Sequence, residues 1–220
     1  MLSGKDQKSI RVKLGLPADA LIVGMVARLQ RWKGIHLVVE SFARLKTEFP
    51  SAILVVVGGR HALEPDYEGF LQKQVAALNL EDRVVFPGFQ SNVPEWLAAM
   101  DIVVNASADE PFGMSLVEAM AAERSVIAIK SAGPAEIVTD GVEGVLVDCC
   151  TPEAISGALG RLMRTSVLGC GRGKMPEAAR KISAWTDWSA MSRRRRRKFL
   201  LPLRRNRDRT FGRKTDSATP

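Results

Sequence analysis

Apolar positions along this chain fall into two kinds of segment that alternate. Leu21–Ala27 (LIVGMVA) and Ala52–Gly59 (AILVVVGG) are continuous apolar runs, the pattern of strands buried on both faces. Between them, Gly34–Phe49 places Ile35, Val38, Val39, Phe42 and Leu45 on one helical stripe. A second helix is predicted over Tyr67–Leu78, turning Phe70, Leu71, Val75 and Leu78 inward. RVVFPG (Arg83–Gly88) reads as a short strand, and SNVPEWLAAM as a polar cap followed by Pro94 at a first helical position. Asp101–Ser107 is a further strand, followed by a loop and a helix from about Met114. Ser125–Lys130 is another strand, AGPAEIV (Ala132–Val138) a turn with a short helix, and Gly144–Asp148 a last strand. Thr151 as cap with Pro152 just inside then opens a closing helix. Six strands alternating with helices over residues 20–164 predict an α/β fold with a doubly wound, Rossmann-like parallel sheet.

Past Met163 the pattern decays. One more helix is expected near Glu177–Ser183, and the RRRRRKFLLPLRRN stretch has neither helical nor strand period. Residues 1–185 are therefore assigned to one domain and 186–220 to a basic, disordered tail. This division relocates the charge. The net charge is +8, but from Arg193 to Pro220 there are twelve bases against two acids, so residues 1–192 carry about −2. The tail could hold nucleic acid or another anion only weakly and without sequence preference, since Phe199 and Phe211 are too few to build a stacking platform. No apolar run nears the roughly 20 residues that span a bilayer. The N-terminal stretch has no apolar signal core, so no transmembrane segment is expected and the expected compartment is the cytoplasm. Cys149, Cys150 and Cys170 form neither a disulfide framework nor a metal-ligand spacing, and the adjacent pair is expected to pack as small apolar residues.

The residues with chemistry to offer sit at the carboxyl ends of the predicted strands, where open α/β sheets bind ligands. Arg28, Arg31, Lys33 and Gly34 follow the first strand, and Gly58, Gly59 and Arg60 the second. Gly88, Phe89 and Gln90 follow the third. Glu110, Phe112 and Gly113 follow the fourth, with Glu118 inside the next helix, and Ala132 and Gly133 follow the fifth. Gly113 permits a tight turn into a helix whose first amides, those of Met114 and Ser115 among them, face a ligand unpaired. The positive end of that helix suits a phosphate, and Arg28 and Lys33 would add two full charges. Such a nook holds a diphosphate with no metal, and no D-x-D pair is present. Glu110 and Glu118 would repel phosphates unless each accepted hydrogen bonds from hydroxyls beyond them. A diphosphate between two hydroxyl-bearing rings is a nucleotide-sugar. Glu136 is expected to be an acid at a helix start. A nicotinamide dehydrogenase is disfavoured because no G-x-G-x-x-G follows the first strand.

Over residues 8–165 the chain resembles the C-terminal, donor-binding domain of retaining glycosyltransferases of the GT-B fold, family four. The resemblance rests on the E-x7-E segment EPFGMSLVE, with ARLQRWKG, VVVGG, VVFPGF and AGPAEIVTDGVEGVLV in order around it. It implies transfer of a hexose-like sugar from a nucleotide-diphosphate-sugar to an unknown acceptor. It also implies a catalytic Glu110 on the transferred sugar, Arg28 and Lys33 on the diphosphate, amides at Gly113, Met114 and Ser115, and Glu118 on the ribose. No metal or other cofactor is implied. The family carries its acceptor site in a second domain, so a separate acceptor-domain chain is an expected partner. A non-catalytic nucleotide-sugar-binding module or partner subunit, or a truncated inactive fragment, stay open as alternatives. Where the family has Ala-Gly-Val-Pro-Val after the motif, this chain has AERSV, which puts Glu123 and Arg124 at a helix end that normally takes glycine.

Overall fold

The two continuous apolar runs become the centre of the sheet. β1 (Ile22–Val26) pairs in parallel with β2 (Ile53–Val57), from Ile22 opposite Ile53 to Val26 opposite Val57. The computed structural model describes residues 4–142 and 144–167. The helix expected near Glu177–Ser183 and the 186–220 tail lie outside the described residues. β3 (Val84–Gly88), β4 (Ile102–Asn105), β5 (Ser125–Ile129) and β6 (Val145–Val147) complete a parallel sheet of order β3-β2-β1-β4-β5-β6. Around it lie α1 (Gly4–Lys13), α2 (Ile35–Ala43), α3 (Tyr67–Ala77), α4 (Val93–Ala99), α5 (Met114–Ala121), α6 (Ala132–Ile137) and α7 (Pro152–Val167). The fold is the doubly wound, Rossmann-like α/β sheet that the hydrophobic pattern predicts. Its strand order reverses between β1 and β4, which opens a crevice above their carboxyl ends.

Strand periodicity divides the core. Val23, Met25, Leu54, Val56, Ile102, Val104, Ile127 and Ile129 share one face with Val38 and Phe42 of α2, Tyr67 and Leu71 of α3, and Ile155 and Leu159 of α7. The intervening positions face the other side, where a Cβ on Gly24 would strike the side chain of Met100. There α1 packs on α4, α4 on α5 and β1, and α5 on β4 and β5. Thr151 caps α7 through the Ala154 amide, 3.3 Å from its hydroxyl. Among the described residues, no helix is long and apolar enough to cross a membrane.

Several local expectations are corrected. α2 stops at Ala43 instead of running to Phe49, because Arg83 binds the carbonyls of Lys46, Phe49 and Ala52 and holds this segment as turns; Leu45 and Phe49 stay buried. Phe70 is exposed rather than turned inward, stacked on Tyr67 with ring centroids 5.9 Å apart. Cys149 is exposed, against expectation, whereas Cys150 packs against the core as expected, with its thiol 3.3 Å from the Ala106 carbonyl. Glu136 falls late in α6, outside its first turn.

α3 and α5 end alike. The Asn79 amide donates to Ala76 O and that of Leu80 to Val75 O; at α5, Glu123 donates to Met120 O and Arg124 to Ala119 O. Both are Schellman ends, which need a left-handed residue just past the cap. Asn79 (φ 51°) tolerates this, whereas Glu123 (φ 61°) meets its Cβ penalty. The Glu123→Gly variant is therefore expected to be more stable by about 0.5–1 kcal/mol, measured as a higher urea midpoint with an unchanged m-value.

Candidate functional site

The crevice above β1 and β4 is lined by the two loops that leave these strands. After β1 the chain passes through a 3-10 turn at Arg31–Lys33 before α2 begins. This loop is clamped from α3. The Arg31 guanidinium lies over Tyr67 and Phe70, 5.1 and 4.8 Å from the ring centroids, and its amide donates to Glu64 at 2.9 Å. The Tyr67 hydroxyl accepts the His36 amide at 3.2 Å and shares a second hydrogen bond with His36 Nδ1 at 2.8 Å. Burial pushes the Tyr67 hydroxyl up to about 12 and, with the Arg31 charge, pushes His36 down, so both are neutral near pH 7.

Lys33 leaves this clamped turn and reaches across the crevice. Its Nζ lies 3.8 Å from the Trp32 ring centroid and 2.7 Å from Glu110 Oε2, in the loop after β4. The Lys33 and Glu110 side chains are 14% and 10% exposed. Burial alone would push the Glu110 carboxyl up. The Lys33 hydrogen bond and charge, with help from Asn105 and Ser107, outweigh it and hold the carboxyl below the usual carboxylate range.

Asn105, the last residue of β4, ties the loop to the helix. Its Nδ2 is 3.4 Å from both Glu110 Oε2 and Ser115 Oγ, and its Oδ1 accepts the Ser107 amide at 3.1 Å. Sequence reasoning passed over it; the signal was a polar residue closing the apolar DIVVN run. Gly113 then takes a left-handed conformation (φ 96°, ψ 47°) and opens α5 with the Met114 and Ser115 amides at its first turn. Met114 is exposed and Ser115 half-buried. From the other side Gly133 presses on this loop: its amide donates to Glu110 O at 3.2 Å, and a Cβ there would sit 2.6 Å from the Phe112 backbone. Only glycine lets α6 start this close.

The structure thus brings Lys33, Glu110 and Ser115 together through Asn105, at the start of the helix that Gly113 opens. Lys33 and Glu110, expected to grip different parts of a ligand, are bonded to each other. Arg28 is exposed at the end of β1 and is not drawn into this cluster. Glu118 stands exposed on α5, and the protein around its carboxyl still pushes its pKa up. The arrangement offers an anion three things: a helix start, the Lys33 ammonium after β1, and a buried carboxylate able to accept hydroxyls.

Residues 6–182 match the family described as Glycosyl transferases group 1. The chain is 32% identical over 158 residues to the lipopolysaccharide core biosynthesis glycosyltransferase LpsE of Rhizobium meliloti, covering 72% of this chain and 44% of that protein. It is 36% identical over 157 residues to a D-inositol 3-phosphate glycosyltransferase of Streptomyces griseus, covering 69% and 33%. Among solved structures, Anabaena Alr3699/HepE in complex with UDP and glucose matches with a TM-score of 0.74 and 32% identity, over 83% of this chain and 48% of that one. The C-terminal domain of the group 1 glycosyl transferase LpcC from Francisella tularensis matches with a TM-score of 0.73 and 27% identity, over 84% of this chain and 94% of that one. The chain spans less than half the length of these curated relatives. With the family matched from the first helix through the last described one, and the sheet superposing on a glycosyl transferase domain, this chain belongs to the group 1 glycosyl transferases.

Proposed function

We propose that this domain binds a nucleotide-diphosphate-sugar and serves as the donor half of a retaining glycosyltransferase acting on a hexose-like sugar. The observation that carries the proposal is the buried Lys33–Glu110 pair, joined through Asn105 to Ser115 at the start of α5. Lys33 and Arg28 meet the diphosphate, and the amides around Gly113–Ser115 meet the oxygens that point at the helix. Glu110 takes hydroxyls of the transferred sugar and Glu118 those of the ribose. As the bond between the sugar and the diphosphate breaks, negative charge grows on the leaving oxygen. Fixed cations and amides aimed there stabilise that charge without reorganising. No metal enters the proposal. The acceptor is assigned to a second domain, on this or a separate chain, which would also exclude water from the crevice. The UDP held by the HepE relative supports uracil as the first base to test.

Titration calorimetry with UDP-glucose, GDP-mannose and the free diphosphates tests the proposal. At least one nucleotide-sugar is expected to bind, and Glu118→Ala to weaken it about tenfold, the scale of one charge-assisted hydrogen-bond pair. Absence of binding by every ligand, or a Glu118→Ala variant of wild-type affinity, overturns it.

A further inference from the structure

We propose that Glu110 is the residue through which this site tells an intact nucleotide-sugar from a ligand that carries the diphosphate alone, by exchanging Lys33 for sugar hydroxyls. The inference rests on the donor-binding function above and extends it to selectivity. Lys33 is committed to Glu110: its Nζ lies 2.7 Å from Glu110 Oε2, and both side chains are nearly buried. A diphosphate that draws Lys33 toward itself takes away the charged group facing Glu110. Among the described residues, the side chains that still bond the carboxylate are then neutral. β4 and its loop offer Asn105 and Ser107, Ser115 at the start of α5 reaches the carboxylate only through Asn105, and α6 offers the Gly133 amide to the Glu110 main chain only. The Asn105 contact, at 3.4 Å, is too long to replace a charge-assisted bond.

A carboxylate buried without a cation is costly, whereas one accepting two hydroxyls is well served. A sugar ring beyond the diphosphate supplies those hydroxyls, and a bare diphosphate does not. The same logic acts in reverse after transfer. The spent nucleoside diphosphate leaves Glu110 unmatched, so Lys33 returns to it and the product is loosened.

The exchange has a proton signature. While the pair is intact, Lys33 keeps Glu110 ionised below the usual carboxylate range. Once Lys33 is drawn to the diphosphate, burial and the neighbouring anion raise the Glu110 pKa, so a sugarless ligand binds with uptake of a proton below neutral pH. A nucleotide-sugar, whose hydroxyls favour the charged form, binds without it.

The probes are UDP-glucose and the methyl ester of UDP, which carry the same diphosphate diester charge and differ in the sugar; GDP-mannose and the GDP methyl ester form the second set. Calorimetry at pH 5.5, in buffers of different ionisation enthalpy, reads affinity and proton uptake together. The wild-type chain is expected to prefer the sugar at least about tenfold and to take up a proton with the methyl ester only. Glu110→Gln is expected to shrink the preference to about twofold, mainly through tighter methyl-ester binding, and to abolish the uptake. If that variant does not fold, the difference in uptake between the two ligands on the wild-type chain decides alone. Equal affinity for the paired ligands, or equal proton uptake, overturns the inference while leaving donor binding intact. Failure of both sets to bind overturns donor binding, and the inference with it.

Discussion

The Lys33→Ala variant is expected to lose about 2–4 kcal/mol of stability at pH 7, and that loss is expected to shrink toward pH 4. Removing the lysine strands Glu110, which is 8% exposed, with only the neutral donors Asn105, 3.4 Å away, and Ser107 still beside it among the described residues. A buried carboxylate whose cation is deleted costs more than the pair was worth, because its lost hydration is no longer offset. The sign follows from the titration. In the wild-type chain the folded-state pKa of Glu110 is depressed. The pair therefore stabilises the fold above the unfolded-state value and loses that contribution as pH falls through the folded one. In the variant, burial acts unopposed and raises the pKa, so the fold carries an unpaired charge at neutral pH and sheds it by protonation on the way down. Urea midpoints at pH 7 and pH 4 for both chains measure this, and parallel losses at the two pH values would refute it. Lys33→Met separates burial from charge: its apolar stem still packs on Trp32, so it should reproduce the pH dependence with less loss of packing. Either variant should also bind donor more weakly than Glu118→Ala, since it loses a full charge on the diphosphate.

The Lys33–Glu110 partnership also shows where sequence reading stops. Its members are 77 positions apart, in loops leaving different strands, and they meet because the strand order places β1 beside β4. The residue types and their place at strand ends were legible: the apolar runs set the strands, Gly113 set the start of α5, and the E-x7-E spacing set the acids. That one acid would neutralise the lysine was not, because pairing depends on side-chain reach across the crevice. Asn105 was hidden by its company, a single amide at the end of an apolar run. The periodicity that turned Leu71 and Val75 inward placed Phe70 wrongly and passed over Tyr67, because an aromatic ring at the edge of a stripe can serve a neighbouring guanidinium instead of the core. At α5 the departure from glycine was legible as strain, and Glu123 holds the left-handed conformation that it implied.

α1 had no apolar signature to find, and the reason sets the second large effect. The helix docks through Arg11, which is 5% exposed. Its Nε donates to Ala99 O at 2.8 Å, its Nη1 to Ala18 O and Ala20 O at 3.1 and 3.0 Å, and its Nη2 to Asp101 at 2.7 Å. Gln7 adds a bond to Met100 O, one turn earlier. Asp101 in turn accepts the Ile22 amide at the start of β1, so one guanidinium joins α1, the end of α4 and the entry to two central strands. Arg11→Ala is expected to cost about 3–5 kcal/mol, since it orphans three carbonyls and removes the Asp101 cation at once. Arg11→Lys should recover less than half, because one ammonium cannot meet acceptors spread over a planar fork. Hydrogen exchange distinguishes this from a general loosening. Amides of α1 and of Asp101 at the entry to β4 should lose protection first, while those of β2 and β5 keep theirs until global unfolding. Uniform loss of protection across the sheet would mean that Arg11 acts through overall packing and not as the tie that holds α1 in place.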